Sequence, residues 1–216
     1  MLSRQYQCEV LDNNQAVVDG CDLPILSTRP SDCLDALGGL CLREGQHLVS
    51  VAAGVSIETL ASAANIEINI IRAMPVSSAE VGAGPTVIYP FNSLVMDLFN
   101  HCGTAIAVDN EPAFEQACVL ACVYTWYFEL FEHLIQCTSS KDLTPEITSQ
   151  LVLGFAKGAA SLAQQDTSGS PGEIAERIAT KGTFSKLGLD HLKQNQAFQP
   201  WENACQLLQD RLNKAE

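Results

Sequence analysis

Positive charge is scarce in this chain of 216 residues: 12 lysines and arginines stand against 25 aspartates and glutamates, for a net charge of −13. No basic stripe gathers the few cations, so the chain repels a phosphate backbone, and nucleic acid is not an expected partner. Charge of either sign is thin, at 17% of residues, while apolar residues make up 47%. That balance is enough for a real core and leaves much of the surface neutral or covered by a partner. Cys-x-x-Cys pairs are absent although there are nine cysteines. Cys118 and Cys122 lie four apart on a predicted helix, but His133 and Cys137 fall more than two turns further along it. Structural zinc needs four close ligands, so no metal is expected. The odd number of thiols, most of them inside apolar runs, reads as reduced, buried small hydrophobes in a reducing, cytoplasmic setting. An apolar signal-peptide core is lacking between Met1 and Gln7. The greasiest segment, Ala113 to Cys137, has as its longest uncharged run Gln116 to Phe128. That run is short of the ~20 residues a bilayer span takes, so the segment reads as a buried or interface helix, with no membrane partner. Gly-x-Gly-x-x-Gly is missing too. The one Gly-x-Gly, Gly82 and Gly84, comes after Pro75 and before a strand, the wrong order for a nucleotide-binding turn.

What is present begins with Leu48 to Pro90. The run Leu48 to Ala53 stops at Gly54, Ser56 is placed to cap a helix, and a β-rich run from Ile66 to Met74 stops at Pro75. The turn Gly82 to Pro85 leads into a third run, Thr86 to Tyr89. Strand, helix, strand is the grammar of an α/β sheet. Upstream, Glu9 to Leu11 predicts a short strand, Asn14 to Gly20 a helix, Asp22 to Ser27 a strand, and Cys33 to about Leu42 a helix capped by Ser31 or Asp32. Pro24 argues against a central strand at 22–27, because it removes a ladder donor. The order predicts a mostly parallel, right-handed arrangement.

From Phe91 onward the period becomes 3.6. Ser93 to His101 predicts an amphipathic helix, Thr104 to Val108 a last strand, and Ala113 to Gln136 a long apolar helix. Thr144-Pro145-Glu146 opens a helix to about Gln165. Its Gly154 and Gly158 suggest close approach of another helix. Glu173 to Ala179, a helix after the polar turn 180–185, and a last helix from Pro200 complete the chain. Taken singly, Arg72 reads as a surface or interface arginine, Met74 as core, His101 as a helix-end residue, and Ser185 as either a cap or a ligand-binding hydroxyl.

Several motifs at this spacing resemble the pyrroline-5-carboxylate reductase family over nearly the whole chain. Asn14 precedes Asp22 by eight, and a strand ends in Thr28-Arg29-Pro30 where the family has Val-Lys-Pro. Val49-Ser50-Val51-Ala52-Ala53-Gly54 stands for the family's Ile-Ser-x-Ala-Ala-Gly, and Arg72-Ala73-Met74-Pro75-Val76 for Arg-x-Met-Pro-Asn. Thr180-Lys181-Gly182-Thr183-Phe184-Ser185, then Gly188-Leu189, stands for Ser-Pro-Gly-Gly-Thr-Thr and Gly-Leu.

The resemblance implies a fold that is α/β followed by all-α. Residues 1–109 would form a partial Rossmann-like parallel sheet domain lacking its glycine-rich first unit, and residues 110–216 a helical dimerisation domain. It implies hydride transfer from NADPH or NADH to a cyclic imine, giving proline, with the cofactor carrying the chemistry. Asn14, Thr28, Arg29, Pro30, Ala52 and Gly54 would be the cofactor positions, Asn14 at the adenosine end and Arg29-Pro30 and Ala52–Gly54 at the nicotinamide side. Met74, Pro75, Gly182, Thr183 and Ser185 would be the substrate positions, with Ser185 the catalytic candidate. The partner implied is a second copy, as a homodimer or higher homo-oligomer through the C-terminal helices.

The departures from the pattern are specific. The glycine-rich first unit that would hold the pyrophosphate is not found, Val76 replaces an asparagine, and Thr183 and Phe184 alter the substrate turn. The family's Gly-Ser-Gly-Pro-Ala-Tyr turn falls on Ala121 to Trp126, which reads as uninterrupted helix. These changes predict a dimeric module with impaired or lost catalysis that holds a vestigial cofactor site or binds no cofactor. The alternative is an active NAD(P)H-dependent imine reductase whose N-terminal unit is missing from this chain.

Overall fold

The computed structural model describes residues 5–64 and 68–212, which form two compact units: the described residues up to 122 together with those from 209 on, and residues 123–208. In the first unit α1 (Asn14–Asp19) leads to β1 (Ile25–Leu26), α2 (Cys33–Gly38), β2 (His47–Ser50), α3 (Ile57–Ala64) and β3 (Asn69–Met74). Next come β4 (Pro85–Tyr89), α4 (Ser93–Asn100), β5 (Thr104–Ala107) and the start of α5 (Glu111–Thr138). The helix starts follow side-chain chemistry. The Asn13 Oδ1 accepts from Ala16 N at 2.8 Å, the Ser56 Oγ from Thr59 N at 3.2 Å, and the Asn92 Oδ1 from Val95 N at 3.1 Å. Each satisfies an amide that a helix leaves unpaired.

The five strands lie in chain order, parallel at β1–β2, β2–β3 and β4–β5 and antiparallel at β3–β4. The antiparallel pair follows from the link. Residues 75–84 hold only a 3-10 turn at Ser77–Val81, with no helix to carry the chain back for a parallel crossover. Strand β1 is an edge strand, in keeping with Pro24 just before it. Alternation along the strands splits the core between the two faces of the sheet. Leu48 and Ile70 join Val18, Leu37 and Leu60 on one face, while Val49, Ile71 and Ala73 join Ile88, Val95 and Phe99 on the other. Each of these side chains other than Ala73 contributes about 1.5–3 kcal/mol when fully buried.

Several expectations change. Glu9–Leu11 forms no strand and is exposed, since nothing in the sheet pairs with it. The first two residues expected in the strand from Ile66, Ile66 and Glu67, lie outside the described residues. Within α5, Phe114, Cys118 and Val119 are buried and belong to the first unit. Of the nine cysteines, all free, only Cys33 and Cys118 are buried, while Cys8, Cys41, Cys122 and Cys137 are exposed.

The second unit holds the rest of α5, then α6 (Pro145–Gln165), α7 (Pro171–Ile178), α8 (Phe184–Gln194) and most of α9 (Gln199–Leu212). A capping box starts α7: the Ser170 Oγ accepts from Glu173 N, and the Glu173 carboxylate accepts from Ser170 N. Trp201 of α9 packs on Trp126 and Tyr127 of α5, with ring centroids 5.9 and 6.2 Å apart. Past Cys122, α5 leaves Tyr127, Phe128, Leu130 and Leu134 exposed. By length and hydropathy alone α5 could cross a bilayer, a test that a partner-facing helix also passes.

Candidate functional site

Open α/β sheets bind ligands outside the carboxyl ends of their strands. Here those ends carry Ser27–Pro30 after β1, Val51–Gly54 after β2 and Pro75 after β3. Two cavities open there. The smaller, about 180 Å³, is lined by Asn14, Ser27 and Thr28 among apolar neighbours that include Ile25 and Leu40. The buried Thr28 Oγ1 has no hydrogen-bond partner among the described residues. The larger, about 550 Å³, is lined by Pro30, Leu34 and Gly54–Ser56, and by the carboxylates Glu58, Glu111 and Glu115. Gly54 has φ +68°, a conformation glycine adopts without steric cost, and it turns the chain from β2 toward α3.

Arg72 organises this crevice. On β3 it alternates onto the face shared by Ile70, and it is fully buried (0% exposed) rather than at the surface. A charge withdrawn from water needs compensation. Its Nη1 donates to Glu111 Oε1 at 2.8 Å and lies 2.5 Å from Glu115 Oε1, while the Phe114 ring stacks under the guanidinium, 4.4 Å from its centroid. The two carboxylates are 26% and 16% exposed. Glu111 and Glu115 are one helical turn apart, so one arginine reaches both. Glu111 Oε1 also accepts from the backbone N–H of Ile57, at the start of α3. Helix starts attract anions through unpaired amides and the helix dipole. Here the chain's own carboxylate fills that position.

Cys118 lies one turn beyond Phe114. Burial, then the neighbouring Glu115 charge, pushes its thiol pKa up to about 12, against a smaller lowering by Arg72. It stays protonated and is no nucleophile at neutral pH. With the folded-state pKa raised, the contribution to stability is complete below the ordinary thiol value of 9.0 and is lost as pH rises toward 12. Iodoacetamide at pH 8 should therefore label Cys8 and Cys41 and leave Cys118 unmodified by peptide mass spectrometry. Labelling of Cys118 at a similar rate would contradict this environment.

The residues singled out from the sequence fall into three places. Asn14 and Thr28 share the smaller cavity, and Pro30 and Gly54 line the larger. Ala52 is buried, Arg29 is exposed, and Met74 and Pro75 are half-buried where β3 ends, so Met74 is not a fully buried core residue. Gly182, Thr183 and Ser185 belong to the second unit. There Thr183, not Ser185, caps α8: its Oγ1 accepts from Lys186 N at 3.2 Å and donates to Thr180 O at 2.7 Å. Ser185 sits one residue into the helix and is exposed. Phe184, which alters the substrate turn, is 94% exposed. Helix α5 runs unbroken through Ala121–Trp126. Among the described residues no three His, Cys, Asp or Glu side chains gather to hold a metal. Glu111 and Glu115 belong to no motif that the sequence brings out. Their one local signal is an acid pair at i, i+4 around Phe114, at the head of an otherwise apolar helix.

The family model for pyrroline-5-carboxylate reductase dimerisation matches residues 111–214. Pyrroline-5-carboxylate reductase of Pasteurella multocida is 26% identical over 214 residues, covering 94% of this chain and 78% of that one. The Staphylococcus epidermidis enzyme is 25% identical over 199 residues, covering 84% and 70%. Among solved structures, the 1-pyrroline-5-carboxylate reductase of Streptococcus pyogenes shares the fold with a TM-score of 0.86 at 21% identity, covering 99% of this chain and 84% of that one. The Plasmodium falciparum enzyme, with NADP bound, does so with a TM-score of 0.84 at 21% identity, covering 95% and 81%. The helical match and the curated relatives make this chain similar to the pyrroline-5-carboxylate reductases, and the solved structures show that it shares their parallel-dominated, Rossmann-like fold.

Proposed function

We propose that this chain is a pyrroline-5-carboxylate reductase-like protein whose catalysis is impaired or lost and which acts as a dimeric, non-catalytic module. The observation that carries the proposal is the filled start of α3: Glu111 already takes the Ile57 amide, in a crevice that Glu58 and Glu115 make acidic. Family resemblance makes NADP or NAD the cofactor to consider, and both are polyanions. The residues present fit the ends of a dinucleotide. Asn14 and the unpartnered Thr28 hydroxyl line one cavity, and Pro30 and Gly54 line another. None of these residues supplies a glycine-rich strand-to-helix turn of the kind that cradles a pyrophosphate. No hydride-transfer step is therefore assigned to these residues. The dimerisation-domain match and the exposed apolar residues of α5 support a homo-oligomer, and nine free thiols suit a reducing, cytoplasmic compartment.

A second reading, an active NAD(P)H-dependent imine reductase, draws on the placement of Pro30 and Gly54 at the same crevice. A fluorescence titration separates the two. The non-catalytic reading expects an NADPH dissociation constant above about 1 mM and pyrroline-5-carboxylate turnover equal to buffer. Saturable micromolar binding with turnover would replace it with the second reading.

A further inference from the structure

Strand β1 lies at one edge of the sheet, and only one of its two sides is paired. Toward β2, the carbonyl oxygens of Asp22, Pro24 and Leu26 accept from His47 N at 3.2 Å, Val49 N at 3.0 Å and Val51 N at 3.1 Å. Alternation turns the N–H and C=O groups of Leu23, Ile25 and Ser27 the other way, out of the sheet. None of these groups has a hydrogen-bond partner among the described residues. Edges are commonly blunted by proline, charge or a covering element. Pro24 does not blunt this one. Its carbonyl is bonded to β2, so its missing N–H faces β2 as well, and the outer row keeps its donors. Ile25 is 47% exposed on that row, and Val17 of α1 is 46% exposed. Both line the cavity of about 180 Å³ at this edge, where the Thr28 Oγ1 is buried without a partner among the described residues.

The approach to the edge is acidic. Asp12 and Asp19 flank α1, Asp22 precedes β1, and all three are exposed. Arg43 lies 3.3 Å from Asp22 but is already committed to the carbonyls of Asp19 and Cys21. A second copy would bring the same acids and a net charge of −13 against them, a juxtaposition of like charge that disfavours self-pairing here. A row of open backbone donors and acceptors beside an apolar cavity is met by an extended strand with alternate side chains in the pocket.

We infer that this edge takes up an extended, basic segment of another polypeptide as an added strand. Its backbone meets Ile25 and Ser27, and one apolar side chain enters the cavity beside Ile25. The inference rests on the non-catalytic reading above, since a dinucleotide would use the same cavity. The test is hydrogen exchange on the full chain, read by NMR at the Ile25 and Ser27 amides. The probe is a short synthetic peptide of alternating threonine and valine with lysine at each end. At saturation it should slow both amides by about tenfold or more. The same peptide N-methylated at alternate backbone nitrogens should leave them within about twofold, and glutamate in place of lysine should weaken binding about tenfold. Ser27→Pro removes an outward donor and none of the bonds to β2. It should weaken the peptide about fivefold with an unchanged circular dichroism spectrum.

No slowing by the peptide, or equal slowing by its N-methylated form, overturns the inference and leaves the non-catalytic reading standing. Slow exchange of both amides in the chain alone shows that the edge is already covered and also overturns it: a second copy is the cover if dilution restores exchange, the chain itself if dilution does not. Micromolar NADPH binding that displaces the peptide, with pyrroline-5-carboxylate turnover, overturns the non-catalytic reading and this inference with it.

Discussion

Arg72→Met is expected to destabilise the sheet unit by about 3–5 kcal/mol, the range for removing one partner of a buried ion pair. The reason starts in the strand. Alternation on β3 sends Arg72 to the same face as Ile70, where Leu48 and Leu60 exclude water. The arginine is tolerated there because Glu111 and Glu115 meet one of its terminal nitrogens and Phe114 covers the guanidinium plane. Methionine fills much of the same volume but carries no charge. Glu111 and Glu115 would then face each other across one helical turn, partly desolvated and with no cation between them. Restoring an uncharged pairing should recover part of the loss, so Arg72→Met with Glu115→Gln is expected to be more stable than Arg72→Met alone. Urea denaturation followed by circular dichroism gives the loss. Both tryptophans, Trp126 and Trp201, lie in the other unit, so tryptophan fluorescence would miss it. Hydrogen exchange on the β2 and β3 amides locates it. A change below about 1 kcal/mol, the scale of an exposed pair, would show that the clamp does not hold the unit together.

Gly103→Ala should cost about 2–5 kcal/mol, from backbone strain and overpacking together. Gly103 has φ +149°, and a β-carbon on it would stand 2.3 Å from the carbonyl oxygen of Gly84 and 3.1 Å from that of Ala83. Both obstacles are backbone, so no side chain can swing aside. The contact opens the β4–β5 ladder, since Thr104 N donates to that same Gly84 oxygen at 3.0 Å. Pushing the two turns apart would break the first bond of the pair. Gly38→Ala serves as the comparison. It is the last residue of α2, and a methyl group added there would meet no heavy atom within 4 Å. It should change stability by no more than about 1 kcal/mol, in the stabilising direction. Thermal denaturation of the two variants side by side checks the pair, and equal melting temperatures would contradict the packing at Gly103.

The element order is largely legible in the amino-acid sequence. Apolar or β-rich runs bounded by glycine and proline mark β2, β3 and β4, the 3.6 period marks α4 and the long helices, and Ser56 stands one residue before the helix it caps. These are local signals, carried by residues within a turn or two of each other. Glu9–Leu11 shows their limit. An apolar pattern without a neighbouring strand to pair with forms no strand. The site is legible in part. Pro30 and Gly54 do meet at one cavity and Asn14 and Thr28 at another, because each motif lies where the carboxyl ends of the strands gather. Ser185 does not cap its helix because Thr183, two residues earlier, takes that role. Phe184 does not pack within its own unit because whether an aromatic packs depends on what lies over it.

The sequence alone therefore determined that the chain is acidic, α/β and then helical, and which short segments end at the sheet's carboxyl edge. Tertiary structure decided the rest: that β4 runs antiparallel to β3, that Arg72 is buried between Glu111 and Glu115, and that Glu111 fills the start of α3, with Phe184 left in water. The physical reason is range. A cap or a period is set by neighbours along the chain, whereas the burial of a charge is settled by residues as far apart as Ile57 and Glu111, whose meeting no local preference encodes.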